Sequence, residues 1–231
     1  MISILVIGNG NVAFHLVKQF KSIDEIDCTQ ISSRNIGFLP SADVAIVAVS
    51  DDAIAEVSSQ IDTNLVVHTS GGSHINSLKN PKNKGVFYPL QSFSKSKEVD
   101  FSEIPICLEA KSDSDYDLLE KMAHLISNKV YRIDSKQREI IHVSAVFANN
   151  FSNHMFTIAD EICESYGITF EILHPLINET VKKLSDLSPK EAQTGPAIRN
   201  DQKTIKKHLL LLPEKYQLMY KLLTESIQNG H

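Results

Sequence analysis

The stretch "LVIGNGNVAFHL", residues 5–16, carries the glycines on which the reading of the first half of the chain turns. An apolar run beginning at Ile2 stops at Gly8, and a helical pattern starts near Asn11. Gly8, Gly10 and Ala13 fit the spacing G-x-G-x-x-G/A. In that pattern the first glycine permits a tight turn. The second, lacking a side chain, lets a pyrophosphate approach the backbone, and the small third residue lets the helix pack on the strand. Unpaired amides at the helix start, aided by its dipole, then hold the anion. The competing reading is a structural strand-to-helix turn with chance glycines. The strand before, the helix after and the alternation beyond favour a dinucleotide loop. Gly8, Asn9, Gly10, Asn11 and Val12 are its cofactor-binding candidates.

That alternation runs on for more than half of the chain. Short apolar runs at residues 2–8, 26–32, 42–50, 64–70, 84–89, 104–110 and 129–134 read as strands. Helical patterns at 11–20, 53–60 and 116–127 lie between them. Runs that are apolar on both faces imply strands covered on both sides, hence a mostly parallel sheet between helices. After residue 134 no strand pattern remains. Residues 136–166 read as one helix, roughly 45 Å long at 1.5 Å per residue, stopped by Gly167. Further helices are expected at about 170–187, 201–212 and 213–227. "SPKE" at 188–191 has the form of a capping box. The expected fold is α/β: a Rossmann-type, mostly parallel N-terminal domain over 1–134 and an all-helical C-terminal domain over 135–231.

Composition narrows the function classes. Among 231 residues, 42% are hydrophobic and 22% charged, values of an ordinary globular chain. The net charge of −5 offers no basic field for nucleic acid. No segment approaches the ~18 apolar residues that would span a bilayer. Cys28, Cys107 and Cys163 are far apart and make no C-x-x-C, so they read as reduced thiols of a cytoplasmic protein. The histidines show no H-E-x-x-H or other ligand spacing, so no metal is expected.

The ends of the strands bear on the cofactor. An NAD site usually has an acidic residue at the end of its second strand, but Asp27 comes too early. "SSRN" stands there instead: Ser32, Ser33, Arg34 and Asn35. An arginine among hydroxyls suits a 2′-phosphate, which points to NADP, with NAD as the alternative; the bland reading of Arg34 is a solvated loop residue. Val49 and Ser50 end the third strand and Thr69 and Ser70 the fourth, the edge at which open α/β sheets bind ligands. Asp51 and Asp52 read as caps of the next helix. His68 is either a buried structural histidine or a functional one.

Four further stretches carry a resemblance. "HTSGG" (68–72), "YPLQSFSK" (88–95), "HVSAVFANNF" (142–151) and "TGPAIRND" (194–201) occur in this order. With the glycine loop they resemble Rossmann-like proteins that carry a C-terminal helical domain of unknown function, often labelled oxidoreductases of the deazaflavin-dependent NADP oxidoreductase type. The resemblance covers about residues 1–225. More distantly the chain is similar to pyrroline-5-carboxylate reductase, prephenate dehydrogenase and the β-hydroxyacid dehydrogenases. What this implies is an NADP-linked reductase or dehydrogenase of a small molecule, with its site in the cleft between domains and a homodimer formed through the helical domain. Two departures matter. The β-hydroxyacid dehydrogenases pair a lysine with an asparagine four residues on; Asn149 fits the asparagine, but the lysine position is Ala145. Prephenate dehydrogenases have His-Pro where this chain has Tyr88-Pro89. Neither mechanism transfers.

Hydride transfer at a C–O or C–N carbon needs a proton donor or acceptor beside the heteroatom and groups that orient the substrate. At 100° per residue, His142, Asn149 and Asn153 fall within about 20° of one line on the long helix. Such a stripe serves either a ligand or helix packing. An imidazole ordinarily titrates near neutrality, so His142 is the proton-transfer candidate, with Tyr88 as the second. Asn149 can orient a carbonyl. Gln91 and Asn153 are candidate substrate contacts, and Arg199 either clamps a substrate anion or makes a salt bridge, Asp201 being one partner within reach. The expectation is a cytoplasmic NADP-dependent oxidoreductase acting on a small polar metabolite, with Ser70, Tyr88, His142 and Asn149 facing the nicotinamide. The rival is a protein that binds NADP without turnover.

Overall fold

The computed structural model describes residues 1–34, 36–37, 39–79 and 82–230. It divides into two compact units, Met1–Val146 and Phe147–His231, each described by itself.

The first unit is built on a seven-stranded sheet: β1 (Ile2–Ile7), β2 (Ile26–Ile31), β3 (Val44–Val47), β4 (Leu65–His68), β5 (Asn83–Pro89), β6 (Ile106–Ala110) and β7 (Val130–Arg132). Their spatial order is β2-β1-β3-β4-β5-β6-β7. All pairs are parallel except β5 with β6. The strand pattern explains why. Alternate residues point to opposite faces, and both faces are apolar. Ile4 and Val6 join Leu16 and Phe20 of α1 (Asn11–Phe20) and Leu119 and Met122 of α3 (Asp113–His124) in one core. Leu5 and Ile7 join Ile54 and Val57 of α2 (Ile54–Ser59) in the other. Each fully buried Leu, Ile or Phe contributes ~1.5–3 kcal/mol relative to exposure. β1 lies between β2 and β3, so the direction of winding reverses beside it, and a crevice opens at the carboxyl ends of these strands.

The unit's last helix, α4 (Ser135–Ala145), starts with a capping box between Asp134 and Gln137. From Val146 to Phe151 the helix widens into a π segment before α5 (Ser152–Ser165) resumes the α form. Residues 136–166 therefore form no uniform α-helix. In a π segment the hydrogen bonds run five residues back instead of four, so the 100° step that lined up His142, Asn149 and Asn153 does not hold through this run. Gly167, at φ +66°, ends α5 in a Schellman motif: Ile168 N donates to Cys163 O at 2.9 Å and Gly167 N to Glu164 O at 3.0 Å.

The second unit continues with α6 (His174–Lys183), α7 (Gln202–Leu211) and α8 (Glu214–Gly230). The capping box at Ser188 and Glu191 forms, with Ser188 Oγ donating to Glu191 Oε2 at 2.6 Å, but it closes turns and no helix follows it. Among the described residues of this unit only Ile158, Ala197 and Ile205 are buried. No helix among the described residues is long and apolar enough to cross a membrane, and no group of three or more His, Cys, Asp or Glu side chains could hold a metal ion.

Candidate active site

The glycine loop connects β1 to α1 under tight steric constraint. Gly8 has φ +138°, and a Cβ there would lie 2.1 Å from the Ala48 carbonyl oxygen, so no other residue fits. A Cβ on Gly10 would meet nothing within 4 Å, because that backbone borders open space. Gly10 is the N-cap of α1; no side chain caps it and no acidic residue stands in the first turn. The first amides of α1 thus keep their positive ends for a ligand. In front of them lies a cleft of about 840 Å³, inside the range of small-molecule sites. Its walls include Gly8, Asn9, Gly10, Asn11, Val12, Ser32, Ser33, Arg34, Val49, Ser50 and Thr69. Ala48, Ala53, Glu56 and Val57 complete it and were not foreseen.

Details around the cleft refine individual residues. Arg34 is exposed, and its backbone N donates to Ser32 Oγ at 3.3 Å, which turns the chain at the end of β2. Asn35 lies outside the described residues. Gln30, unmarked by any motif, donates from Nε2 to the Gly8 carbonyl at 2.8 Å and so fastens the loop to β2. Asp51 and Asp52 do not cap by side chain; they occupy the first turn of a short 3-10 helix that leads into α2. Ser70 does not line the cleft. Its hydroxyl accepts from Gly72 N at 3.1 Å and Ser73 N at 2.9 Å, so it shapes the next turn.

That turn carries the cleft wall to a titratable pair. Two residues past Thr69, a Cβ on Gly71 would lie 2.5 Å from His142 Nδ1 and 2.8 Å from Tyr88 Oη. Tyr88 Oη and His142 Nδ1 lie 3.4 Å apart in hydrogen-bond contact, the rings meeting edge to face with centroids 6.3 Å apart. Burial pushes the Tyr88 phenol up to about 12, so it holds its proton across the neutral range; the Cys107 thiol adds to this and the Arg138 guanidinium opposes it. Asp51 Oδ2 approaches from the cleft side, 3.5 Å from a Cβ on Gly72.

Beneath the pair lies a buried polar network. Arg138, one turn before His142 and 1% exposed, pairs with Glu109 of β6 and donates to the Ser73 carbonyl at 2.6 Å. Ser135 Oγ donates to Glu109 Oε2 at 2.8 Å and accepts from Ile75 N at 3.1 Å. α4 is thereby tied to the turn that carries Gly71. His68 is fully buried. Its Nδ1 accepts from Ser70 N at 3.1 Å. Burial above all, and next the Arg138 charge, push it down to about 4, so it stays neutral at physiological pH.

Comparison with known proteins follows this architecture. Residues 104–227 match the family described as "Domain of unknown function (DUF2520)". The chain belongs to the DUF2520 family. A Bacteroides fragilis protein described as a "putative NADP oxidoreductase" is 37% identical, with 99% of this chain and 98% of that one covered and a TM-score of 0.87. The Plasmodium falciparum pyrroline carboxylate reductase, solved with NADP bound, shares the fold at 13% identity, a TM-score of 0.62 and coverage of 99% and 97%. So does a Myxococcus stipitatus imine reductase in complex with NADP+, at 15% identity, a TM-score of 0.65 and coverage of 99% and 95%. No curated protein matches the sequence. The chain is thus a Rossmann-like member of the DUF2520 family, similar over its whole length to a protein described as a "putative NADP oxidoreductase".

The remaining candidates of this DUF2520 protein have the following surroundings. Gln91 is exposed just past β5, and its side-chain oxygen already accepts from Ser92 N at 2.9 Å. Asn149 and Asn153 are exposed in the helical unit, Asn149 inside the π segment. Arg199 is exposed there too and makes no ion pair among the described residues. Asp201 instead caps α7, accepting from Thr204 N at 3.0 Å and Thr204 Oγ1 at 2.7 Å.

Proposed function

We propose that this DUF2520 protein is an NADP-dependent oxidoreductase that reduces an imine or carbonyl of a small polar metabolite, or runs the reverse reaction. The observation that carries the reading is the segment Thr69–Gly71, which lines the cleft at one end and touches the Tyr88–His142 pair at the other. The residues present fit the cofactor: a glycine that only glycine can replace, open space before Gly10, uncapped amides, and Arg34 where a 2′-phosphate needs a cation. The glycine loop is read as holding the diphosphate, and Arg34 as favouring NADP over NAD. Bound there, the nicotinamide supplies or accepts the hydride. Tyr88, kept protonated by burial, gives its Oη proton to the substrate nitrogen or oxygen, His142 Nδ1 steadies the phenol, and a proton from solvent restores it. Asn149, Asn153, Gln91 and Arg199 remain candidates for holding the substrate.

The exposed apolar residues of the helical unit support a homodimer through that unit. Three free cysteines accord with a reducing cytoplasm. The test is titration of purified protein with NADPH and NADH, followed by a panel of cyclic imines and small carbonyls. NADPH binds more tightly than NADH, and Arg34→Ala lowers that preference about tenfold. Tyr88→Phe lowers kcat by roughly 10²–10⁴ and leaves NADPH affinity within a few-fold. Tight NADPH binding without turnover of any substrate would favour a binding protein, and absence of dinucleotide binding would refute the whole reading.

A further inference from the structure

The segment that follows β5 was marked by its sequence but has no part in the pair chemistry. It runs back across the start of α1 and is fastened there at three points. Asn11 Nδ2 donates to the Phe93 carbonyl at 2.8 Å. The ring nitrogen of His15, a buried residue of α1, meets the Ser94 carbonyl at 2.9 Å. Lys95 Nζ donates to the Asn9 carbonyl at 2.9 Å. Phe93 fills the space below, its ring 5.2 Å from that of His15 and stacked on Phe101 at 5.9 Å. An ammonium is therefore held directly on the residue between the two loop glycines.

No carboxylate neutralises it. The ion pair nearest in sequence belongs to Lys18 and Glu98, and Lys95 forms none among the described residues. An ammonium has three donors, and the Asn9 carbonyl takes one. Lys95 reaches the cleft through Asn9, a wall residue, and the charges on the wall itself are Arg34 after β2 and Glu56 on α2.

We propose that Lys95 is a further cofactor-binding residue, a fixed cation for the diphosphate of the dinucleotide; this rests on the reading given under "Proposed function". Its role is distinct from that of Arg34. The diphosphate is common to NADP and NAD, so Lys95 strengthens both alike, whereas Arg34 separates them. Charge-assisted contact with an oxyanion is also screened by salt, which gives the role a second signature.

The experiment compares wild type with Lys95→Met and Lys95→Arg, titrating NADPH, NADH and ADP-ribose at low and high ionic strength. Lys95→Met weakens all three about tenfold at low salt, leaves the NADPH/NADH ratio unchanged and flattens the salt dependence, while Lys95→Arg retains most of the affinity. Lys95 is exposed, so the thermal melt of the free protein stays within a degree or two. Unchanged affinities in Lys95→Met, or a change in the NADPH/NADH ratio alone, would overturn the assignment and leave the dinucleotide reading standing. A wild type that binds none of the three would overturn both.

Discussion

The two units of this chain solve the problem of a core differently. In the α/β unit, Ile4, Leu5, Phe20, Ile46 and Phe87 are 0–1% exposed, packed between sheet and helices. In the helical unit, Phe147, Ile172, Leu176, Val181 and Leu218 are 63–68% exposed and Leu210 is 87% exposed. Helices of this length draw most of their stability from burying an apolar face. The α/β unit finds that cover within itself, because strands apolar on both sides recruit helices to both. The helical unit leaves many of its large apolar side chains exposed. The difference teaches where the chain covers its own apolar surface and where it leaves that surface open.

The largest effect is expected where the core is complete. Phe87→Ala empties the centre of the sheet beside Phe20 and costs about 3–5 kcal/mol. Chemical denaturation checks this, and the loss from this local cavity does not depend on protein concentration. The contrast sharpens with Leu176→Glu combined with Leu222→Glu. On a truly exposed face each change lies within about 0.5 kcal/mol. In a dimer sealed through this unit they bury charge, halve the sedimenting mass and make the melting temperature depend on concentration. Wild type that sediments as a monomer at micromolar concentration would break the comparison.

What could be read beforehand follows the range of the interactions. The glycine loop is local: its spacing alone names Gly8 and Gly10, and the strand ends name Arg34, Ser50 and Thr69, all on the cleft wall. A hydroxyl at a strand end serves a ligand or a turn equally well, and Ser70 Oγ accepts from two amides of the next turn, a role the strand pattern alone does not reveal. Gln30, Lys95 and the Arg138–Glu109 pair were invisible for another reason. Their partners lie 22, 86 and 29 residues away in sequence, brought close only by strand order and by the path of the chain after β5. The π segment escaped because "VFANNF" reads as helix by periodicity, and one residue of slippage leaves no signature in composition.

The smallest effect concerns pH and belongs to the α/β unit. His68 is fully buried at the end of β4, and its pKa falls from 6.5 to about 4. In the unfolded chain this ring takes up a proton as pH drops through about 6.5, while in the folded protein it stays neutral until about 4. The stability that rests on the neutral ring is therefore complete above pH 6.5 and is lost progressively below it. At about 1.4 kcal/mol per pH unit, the loss between pH 7 and pH 5 is about 2 kcal/mol. His68→Leu removes the titrating group. It also leaves Ser70 N without its acceptor, so the variant starts less stable at pH 7, yet its stability changes with pH less steeply. Urea midpoints at pH 7 and pH 5 for the two proteins isolate the difference, since every other histidine is common to both. Equal slopes would mean that the ring is protonated in the folded state, and with it that the core under the Thr69–Gly71 turn admits a charge.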